Sequence, residues 1–283
     1  MATRPPGPTT TPDEALPALP GFVEVDAADH WRCIDFIGDL HLCESAPRTV
    51  EGFAHYLATT PADAVVILGD LFEVWVGDDA CDGGFESRCV DLLADAACGR
   101  NLAFMHGNRD FLVGLPTLAA CGMLGLADPT VLVAFGERVL LTHGDALCLG
   151  DTEYQAFRAQ VRTAAWQRAF LGRTLAARRQ IARELRERSR TRQRHRRASE
   201  TVDVDAAAAV QWMHLSAAPV MIHGHTHRPG SSDLAPGYRR HVLSDWHLEA
   251  DSQPRRAQAL RWTAAGFSRV DLAQTPADPG TVR

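Results

Sequence analysis

A chain of 283 residues, 46% of them hydrophobic, is long enough to bury a sizeable core as one large domain or a domain carrying an insertion. Its net charge of −6 is unevenly spread: Arg168 to Arg197 holds twelve arginines against Glu184 and Glu187, a local charge of +10 that leaves −16 for the remainder. Lysine is absent, so every fixed positive side chain is a guanidinium, and no apolar run reaches the ~18 residues a membrane span requires. The cysteines at 33, 43, 81, 89, 98, 121 and 148 show no paired CxxC spacing and no secretory signal, which points to reduced thiols in the cytosol.

Met1 to Pro20, rich in Pro and Thr, is expected to be a disordered leader, because it cannot bury enough surface to offset chain entropy. The fold is expected to run from Trp31 to Leu272. Cys33 to Ile37 reads as a buried strand that runs into Gly38-Asp39-Leu40-His41. Thr49 to Ala58 follows, with Val50, Phe53, Ala54 and Leu57 at helical spacing. The β-branched run Ala64 to Leu68, bounded by Pro61 and Gly69, then reads as a strand buried on both faces and delivers Asp70 at its end. Phe85, Cys89, Leu92, Leu93 and Ala96 mark a second crossover helix, and Leu102 to Met105 leads into His106-Gly107-Asn108-Arg109-Asp110. Val131 to Ala134 and Arg138 to Leu141, around Phe135-Gly136-Glu137, form a hairpin that leads to Thr142-His143-Gly144-Asp145.

Between His143 and His223 the pattern becomes helical. Thr152-Glu153-Tyr154-Gln155 fits a capping box, and it opens a helix with Tyr154, Phe157, Val161 and Ala165 on one face. A second helix starts near Arg173, its Leu175, Ile181 and Leu185 lining a face with Trp166 and Phe170 nearby. A third, Asp205 to Leu215, returns to the strand Val220 to Ile222 and to His223-Gly224-His225-Thr226-His227. This insertion, about 151–217, begins and ends at the same place and is placed to act as a lid. Gln258 to Thr263 and Phe267 to Leu272 alternate as antiparallel strands, and the remainder, 273–283, is expected to be a loose tail. Parallel units mixed with hairpins predict an α/β fold, a sandwich of two mixed β-sheets flanked by helices.

Five apolar strands thus end in a small residue or Gly beside Asp, Asn or His, and ligands in α/β architectures collect at the carboxyl ends of strands. Any one such Asp is ordinarily a helix cap and any one such His an ordinary hydrogen-bonded residue; five in one chain make a site. Asp39, His41, Asp70, Asn108, His143, His225 and His227 offer carboxylate, imidazole and amide donors without a thiolate, which suits hard or borderline divalent ions. Seven ligands exceed what one catalytic metal with an open position takes. They suit two metals if one carboxylate bridges, and Asp70 is the expected bridge.

Asp39-Leu40-His41, Gly69-Asp70, Gly107-Asn108-Arg109-Asp110, His143-Gly144-Asp145 and Gly224-His225-Thr226-His227 resemble the successive motifs of the calcineurin-like metallophosphoesterase superfamily. Asn108-Arg109-Asp110, the run Gly69 to Asp79 and His223 to Pro229 are similar, within it, to the UDP-2,3-diacylglucosamine pyrophosphohydrolases of lipid A biosynthesis. The resemblance implies one metal on Asp39, His41, Asp70 and His227, a second on Asp70, Asn108, His143 and His225, and manganese as the ion. It implies hydrolysis of the acylated UDP-sugar to UMP and 2,3-diacylglucosamine 1-phosphate, on the cytoplasmic face of the inner membrane. Substrate contacts carried over by position are Asn108, Arg109, Asp151, Ser189, Gln193, Arg196 and His225; Gln193 and Arg196 stand where family members carry Asn and Lys.

The arginine-rich segment has three readings: a solvated helix, a nucleic-acid contact, or a basic amphipathic helix resting on anionic lipid and burying Trp166, Phe170 and Leu171. No aromatic stacking platform accompanies it and the rest of the chain is acidic, so nucleic acid is not expected. The competing readings of the whole chain are a metallophosphodiesterase acting on another nucleotide or nucleic acid, and a metal-free scaffold protein.

Overall fold

The computed structural model describes residues 19–195, 203–249 and 254–273, with backbone alone for 192–195. The expected leader, apart from its last two residues, and nearly all of the expected tail lie outside the described residues.

Two six-stranded sheets pack face to face. The first is built on four parallel strands, β2 (Cys33–Ile37), β3 (Ala64–Leu68), β4 (Asn101–Met105) and β5 (Met123–Leu126), linked through α1 (Pro47–Thr59), α2 (Phe85–Ala97) and α3 (Leu115–Ala120). The antiparallel pair β11 (Gln258–Thr263) and β12 (Gly266–Asp271) extends its other edge, beside β2. The second sheet runs β1 (Val23–Asp26), β6 (Thr130–Ala134), β7 (Glu137–Leu141), β8 (Val220–His223), β10 (Tyr238–Val242) and β9 (Gly230–Ala235).

The strand alternation explains the layering. Ala64, Val66 and Leu68 of β3 point between the sheets with Ile34, Phe36, Leu141, Ile222 and Trp262, whereas Val65 and Ile67 point outward against Phe53, Leu57 and Leu93 of α1 and α2. On the outer face of the second sheet, Val131, Leu140 and Met221 pack on Ala208, Ala209 and Met213 of α7 (Ala206–Leu215). Asp35, buried under α1 on the outer side of the first sheet, is satisfied by Arg261, Thr60 and the Tyr56 hydroxyl, as a carboxylate in an apolar setting must be.

The insertion is the part least like its expectation. Asp151 caps α4 (Thr152–Val161), accepting from the Tyr154 amide at 3.2 Å, so Thr152 opens the helix instead of capping it. Gln155 does not close a capping box; its amide donates to the carbonyls of Asp145 and Cys148 and ties the helix to the loop after β7. The helix expected to include Ala165 breaks at Thr163, whose hydroxyl caps a separate α5 (Ala164–Leu171), and α6 (Leu175–His195) follows. Elements with no strong period in sequence were not expected at all: β1, β5, α3 and the β9–β10 hairpin. β1 also places the start of the fold ahead of Trp31.

Trp166 and Phe170 do not face outward. They stack at 4.9 Å and pack into the main core with Phe111, Leu175 and Ile181; of the three residues expected on lipid only Leu171 is substantially exposed, at 42%. The apolar face of α5 is taken up by the protein itself.

Candidate metal centre

All five expected strand ends converge at one edge of the sandwich, stitched by backbone hydrogen bonds. Asp39 N donates to Gly69 O, His41 N to Asp70 O and Gly224 N to His143 O, at 3.0–3.1 Å. Asp110 anchors the ends of β3 and β4 by accepting from the amides of Asp70, Leu71, Phe72 and Gly107, so the last residue of Asn108-Arg109-Asp110 is a strut and not a ligand. The approach is close: a Cβ at Gly107 would stand 2.1 Å from Asp70 Oδ1, and one at Gly224 would stand 2.5 Å from Asp39 Oδ2. Only glycine fits there.

Asp39, His41, Asp70, His225 and His227 adopt φ of 52–65°, the left-handed region that non-glycine residues rarely occupy; outside this site only Phe135 and Ala217 do so among the described non-glycine residues. Concentration of backbone strain at one place is a mark of a functional site.

The side chains form two adjoining groups. Donor atoms of Asp39, His41 and His227 lie within 4.8 Å of one another, as do those of Asp39, Asp70 and His143. Asn108 Oδ1 joins the second group, 3.0 Å from His143 Nε2 and 2.9 Å from His225 Nδ1. The seven expected ligands thus lie in one cluster, and the carboxylate common to the two groups is Asp39, whereas Asp70, the expected bridge, stands in the second group alone.

The site fits cations. Asp39 Oδ1, turned to His227, is a buried polar atom without a hydrogen-bond partner. His143 Nδ1 donates to Leu68 O at 2.9 Å, which leaves Nε2 as the nitrogen turned to the site. Burial opposes ionisation of Asp39, but His227, His143 and His41 outweigh it and hold the carboxyl below the usual range. Burial, then the Arg109 charge, pushes His41 well down, and burial with His143 pushes His225 down to about 4, so both keep free lone pairs near neutral pH. His143 shows the negative field directly: burial opposes its charge, yet Asp70, Asp145 and Asp39 raise it to about 9. Hard and borderline donors under such a field suit divalent ions of the Mn, Fe, Zn or Mg kind.

Around this centre stand Arg109, expected from the resemblance, and four residues not singled out for the site in sequence: Glu73, Tyr154, Arg162 and Asp245. Arg109 pairs with Asp70 (Nε to Oδ2, 3.1 Å) and with Glu73. The Tyr154 hydroxyl donates to Asp145, whose carboxylate also takes Arg158 Nε at 2.9 Å, and the Tyr154 ring lies 5.9 Å from that of His225. Arg162 donates to Gly107 O at 2.7 Å. Asp245 Oδ2 lies 3.7 Å from His227 Nδ1. Asp151 sits at the start of α4 and Ser189 is half-buried on α6; the Gln193 side chain and Arg196 lie outside the described residues.

Two mixed sheets with helices outside and a cluster of Asp, His and Asn at converging strand ends define a metallophosphoesterase. Residues 34–229 match the family described as calcineurin-like phosphoesterase, and the chain belongs to it, a family that works with divalent metal ions. It is similar to UDP-2,3-diacylglucosamine hydrolase of Sodalis glossinidius, 42% identical over 77% of this chain and 91% of that protein. The hydrolase of the same name from Aromatoleum aromaticum is 43% identical over 82% and 93%, and that of Xanthomonas campestris pv. campestris is 40% identical over 84% and 98%. Among solved structures, vacuolar protein sorting 29 from Cryptosporidium parvum aligns with a TM-score of 0.43 at 13% identity, over 82% of this chain and 85% of that one.

Proposed function

We propose that this chain hydrolyses the pyrophosphate bond of UDP-2,3-diacylglucosamine, releasing UMP and 2,3-diacylglucosamine 1-phosphate. The observation that carries this reading is identity at 40–43% across nine-tenths or more of relatives bearing that substrate's name. No feature of the site favours a nucleic-acid phosphodiesterase or a metal-free scaffold.

Asp39, His41, Asp70 and His227 would hold one cation and Asp70, Asn108, His143 and His225 a second, with manganese first among the candidates. Divalent ions so held supply positive charge to a phosphate and lower the pKa of water. The rest of the work falls to the chain. Asn108 and His225, themselves in the second ligand set, would also face a phosphate held at the centre. Arg109 offers fixed, planar donors to phosphate oxygens, so it stabilises charge, and a guanidinium does not serve as a general acid. Asp151 and Ser189 would contact the sugar or nucleotide from the insertion, with Gln193 and Arg196 beyond the described side chains. The insertion over residues 151–217 of a 31–272 domain would serve as a lid over the acyl chains.

No helix among the described residues is long and apolar enough to cross a membrane. The exposed arginines of α5 and α6, with Leu171 beside them, support peripheral contact with an anionic membrane surface on the cytoplasmic side.

The test compares turnover of the acylated UDP-sugar with that of a plain cyclic nucleotide, by metal-stripped protein reloaded with manganese, iron or zinc. Preference for the acylated UDP-sugar is expected. Equal or better turnover of the cyclic nucleotide would move the chain to the phosphodiesterases, and no turnover of either with any metal would leave a scaffold.

A further inference from the structure

Glu73 follows Asp70 by three residues, on a loop whose backbone is fixed to the site: Glu73 N donates to Leu42 O at 3.1 Å and Trp75 N donates to Arg109 O at 3.1 Å. One carboxylate oxygen, Oε2, accepts from Arg109 Nη1 at 2.5 Å and stands 3.7 Å from His41 Nδ1. The other, Oε1, accepts from Nη2 of Arg186 and from Nη2 of Arg190, the latter at 3.2 Å. Arg109 belongs to the core, whereas Arg186 and Arg190 sit one turn apart on α6. One largely buried carboxylate therefore joins three guanidiniums from two parts of the fold.

That arrangement is more than a surface ion pair. Glu73 is 19% exposed, Arg109 14% and Arg186 21%, so screening by solvent is slight. Three positive charges meet two negative ones, Glu73 and the Asp70 carboxylate that Arg109 also touches, which leaves an excess of cation at the edge of the metal centre, where an anionic substrate must sit. Without the carboxylate, Arg109 and Arg186 would repel each other and part. Burial and the Arg109 charge lower the affinity of Arg186 for its proton, and Glu73 is what opposes them.

We propose that Glu73 is a positioning residue that clamps Arg109 of the core to Arg186 of the insertion, so that two guanidinium forks are presented side by side to the diphosphate of the substrate. The clamp rests on the pyrophosphohydrolase reading above. Glu73 itself touches no substrate; it sets the spacing of the groups that do, and it couples the seating of α6 to the readiness of the site. A misplacement of about 1 Å in such donors is enough to lower a rate about a hundredfold.

Glu73→Gln, Glu73→Asp, Arg186→Ala and the Glu73→Gln/Arg186→Ala pair, each as metal-loaded full-length protein, test the clamp with the acylated UDP-sugar. Glu73→Gln is expected to lower kcat/KM by roughly ten- to a hundredfold, mainly through KM, with metal content and unfolding midpoint near wild type, and Glu73→Asp to recover part of the loss. In the Arg186→Ala background the Glu73→Gln change should add little, because the clamp is already open. Additive losses, an unchanged KM, or loss of metal in step with activity would overturn the proposal; the last would give Glu73 a role through His41 alone. Should wild type fail to turn over the acylated UDP-sugar, the proposed function falls by itself. The clamp is then judged by hydrogen exchange of α6, where faster exchange across residues 180–191 in Glu73→Gln supports it and unchanged exchange overturns it.

Discussion

His41 and His227 meet nitrogen to nitrogen, their Nε2 atoms 3.2 Å apart and their ring planes inclined at 49°, although they come from opposite ends of the domain and from different sheets. Asp39 Oδ1 stands 3.5 Å from the same His227 nitrogen. Two imidazoles and a carboxylate turned inward on one point are a poor hydrogen-bonding arrangement and a good cation-binding one. The neighbouring group of Asp70, Asn108, His143 and His225 repeats the design, and the metal stoichiometry should report both.

Asp70 and Asn108 separate the contributions. Asp70→Ala is expected to lose more bound metal and more activity than Asn108→Ala, because in the proposed arrangement Asp70 would serve both cations and the amide one. Elemental analysis after reloading checks this. Two full equivalents of metal with normal turnover in Asp70→Ala would remove the bridge and move attention to Asp39, which borders both groups.

Arg109 cannot donate a proton, so the leaving group must depart unassisted by it. Wild-type rates on phosphodiesters of graded leaving-group pKa should fall steeply as that pKa rises. Arg109→Ala should lose on the order of 2.7–4 kcal/mol of transition-state stabilisation on the pyrophosphate, the loss typical of one oxyanion donor. A flat dependence on leaving group, with Arg109→Ala unimpaired, would reduce Arg109 to the partner of Asp70 and Glu73.

The seat of α6 depends on Arg178, a guanidinium only 2% exposed that pairs with Asp79 and donates to Val76 O. Asp79 itself is 63% exposed, so removing it leaves Arg178 with the carbonyls of Val76 and Arg173 as acceptors, whereas Arg178→Met removes the buried charge and keeps most of the volume. Asp79→Ala is expected to be the more destabilising change in denaturant unfolding, by about 1 kcal/mol because solvent screens the exposed carboxylate, with Arg178→Met nearer to wild type. The reverse order would mean that the Arg178 stem, and not its charge, seats the helix.

His241, on β10 and outside the ligand set, supplies a pH dependence. Burial, then Arg239 and Arg269, pushes it down to about 4, and its Nδ1 meets the Ser231 hydroxyl at 2.7 Å. The folded protein thus keeps His241 neutral where the unfolded chain, titrating near 6.5, takes up a proton. The stabilisation is complete above about pH 6.5 and is lost as pH falls toward 4. His241→Asn should flatten the decline of the unfolding free energy between pH 7 and 4.5, by on the order of 1–3 kcal/mol. Parallel curves for the two proteins would assign the acid sensitivity elsewhere.

Much of this was legible in the sequence because buried parallel strands advertise themselves. Ala64 to Leu68 is apolar at every position, and Gly69 and Asp70 follow with nothing in between; the same logic exposed all seven ligand candidates. Short or half-exposed elements gave no such period. β5 exposes Leu124 and Gly125, and β9 reads Gly-Ser-Ser-Asp-Leu-Ala, a composition closer to a loop. The insertion misled for another reason. Gln155 and Asp151 have the right identities for a capping box one residue out of register, and only the tertiary partner of Gln155, the Asp145 carbonyl, decides between them. Glu73 lay in plain view within a recognised run, yet its partners are 36 to 117 residues away, a separation at which spacing carries no signal.

The left-handed backbone at Asp39, His41, Asp70, His225 and His227 bears on how this chain could drift. Each such residue is held against a penalty of about 1 kcal/mol or more that glycine would escape and asparagine would reduce. While the chemistry is needed, these positions are frozen in spite of that penalty. A copy released from its duty would gain stability with nearly every step toward Gly or Asn there, so ancestry that has stopped catalysing should erode first at the ligands and become hardier as it does so. A raised melting temperature in a close homologue with glycine at 39, 41 or 70 would be the mark of retirement rather than of improvement.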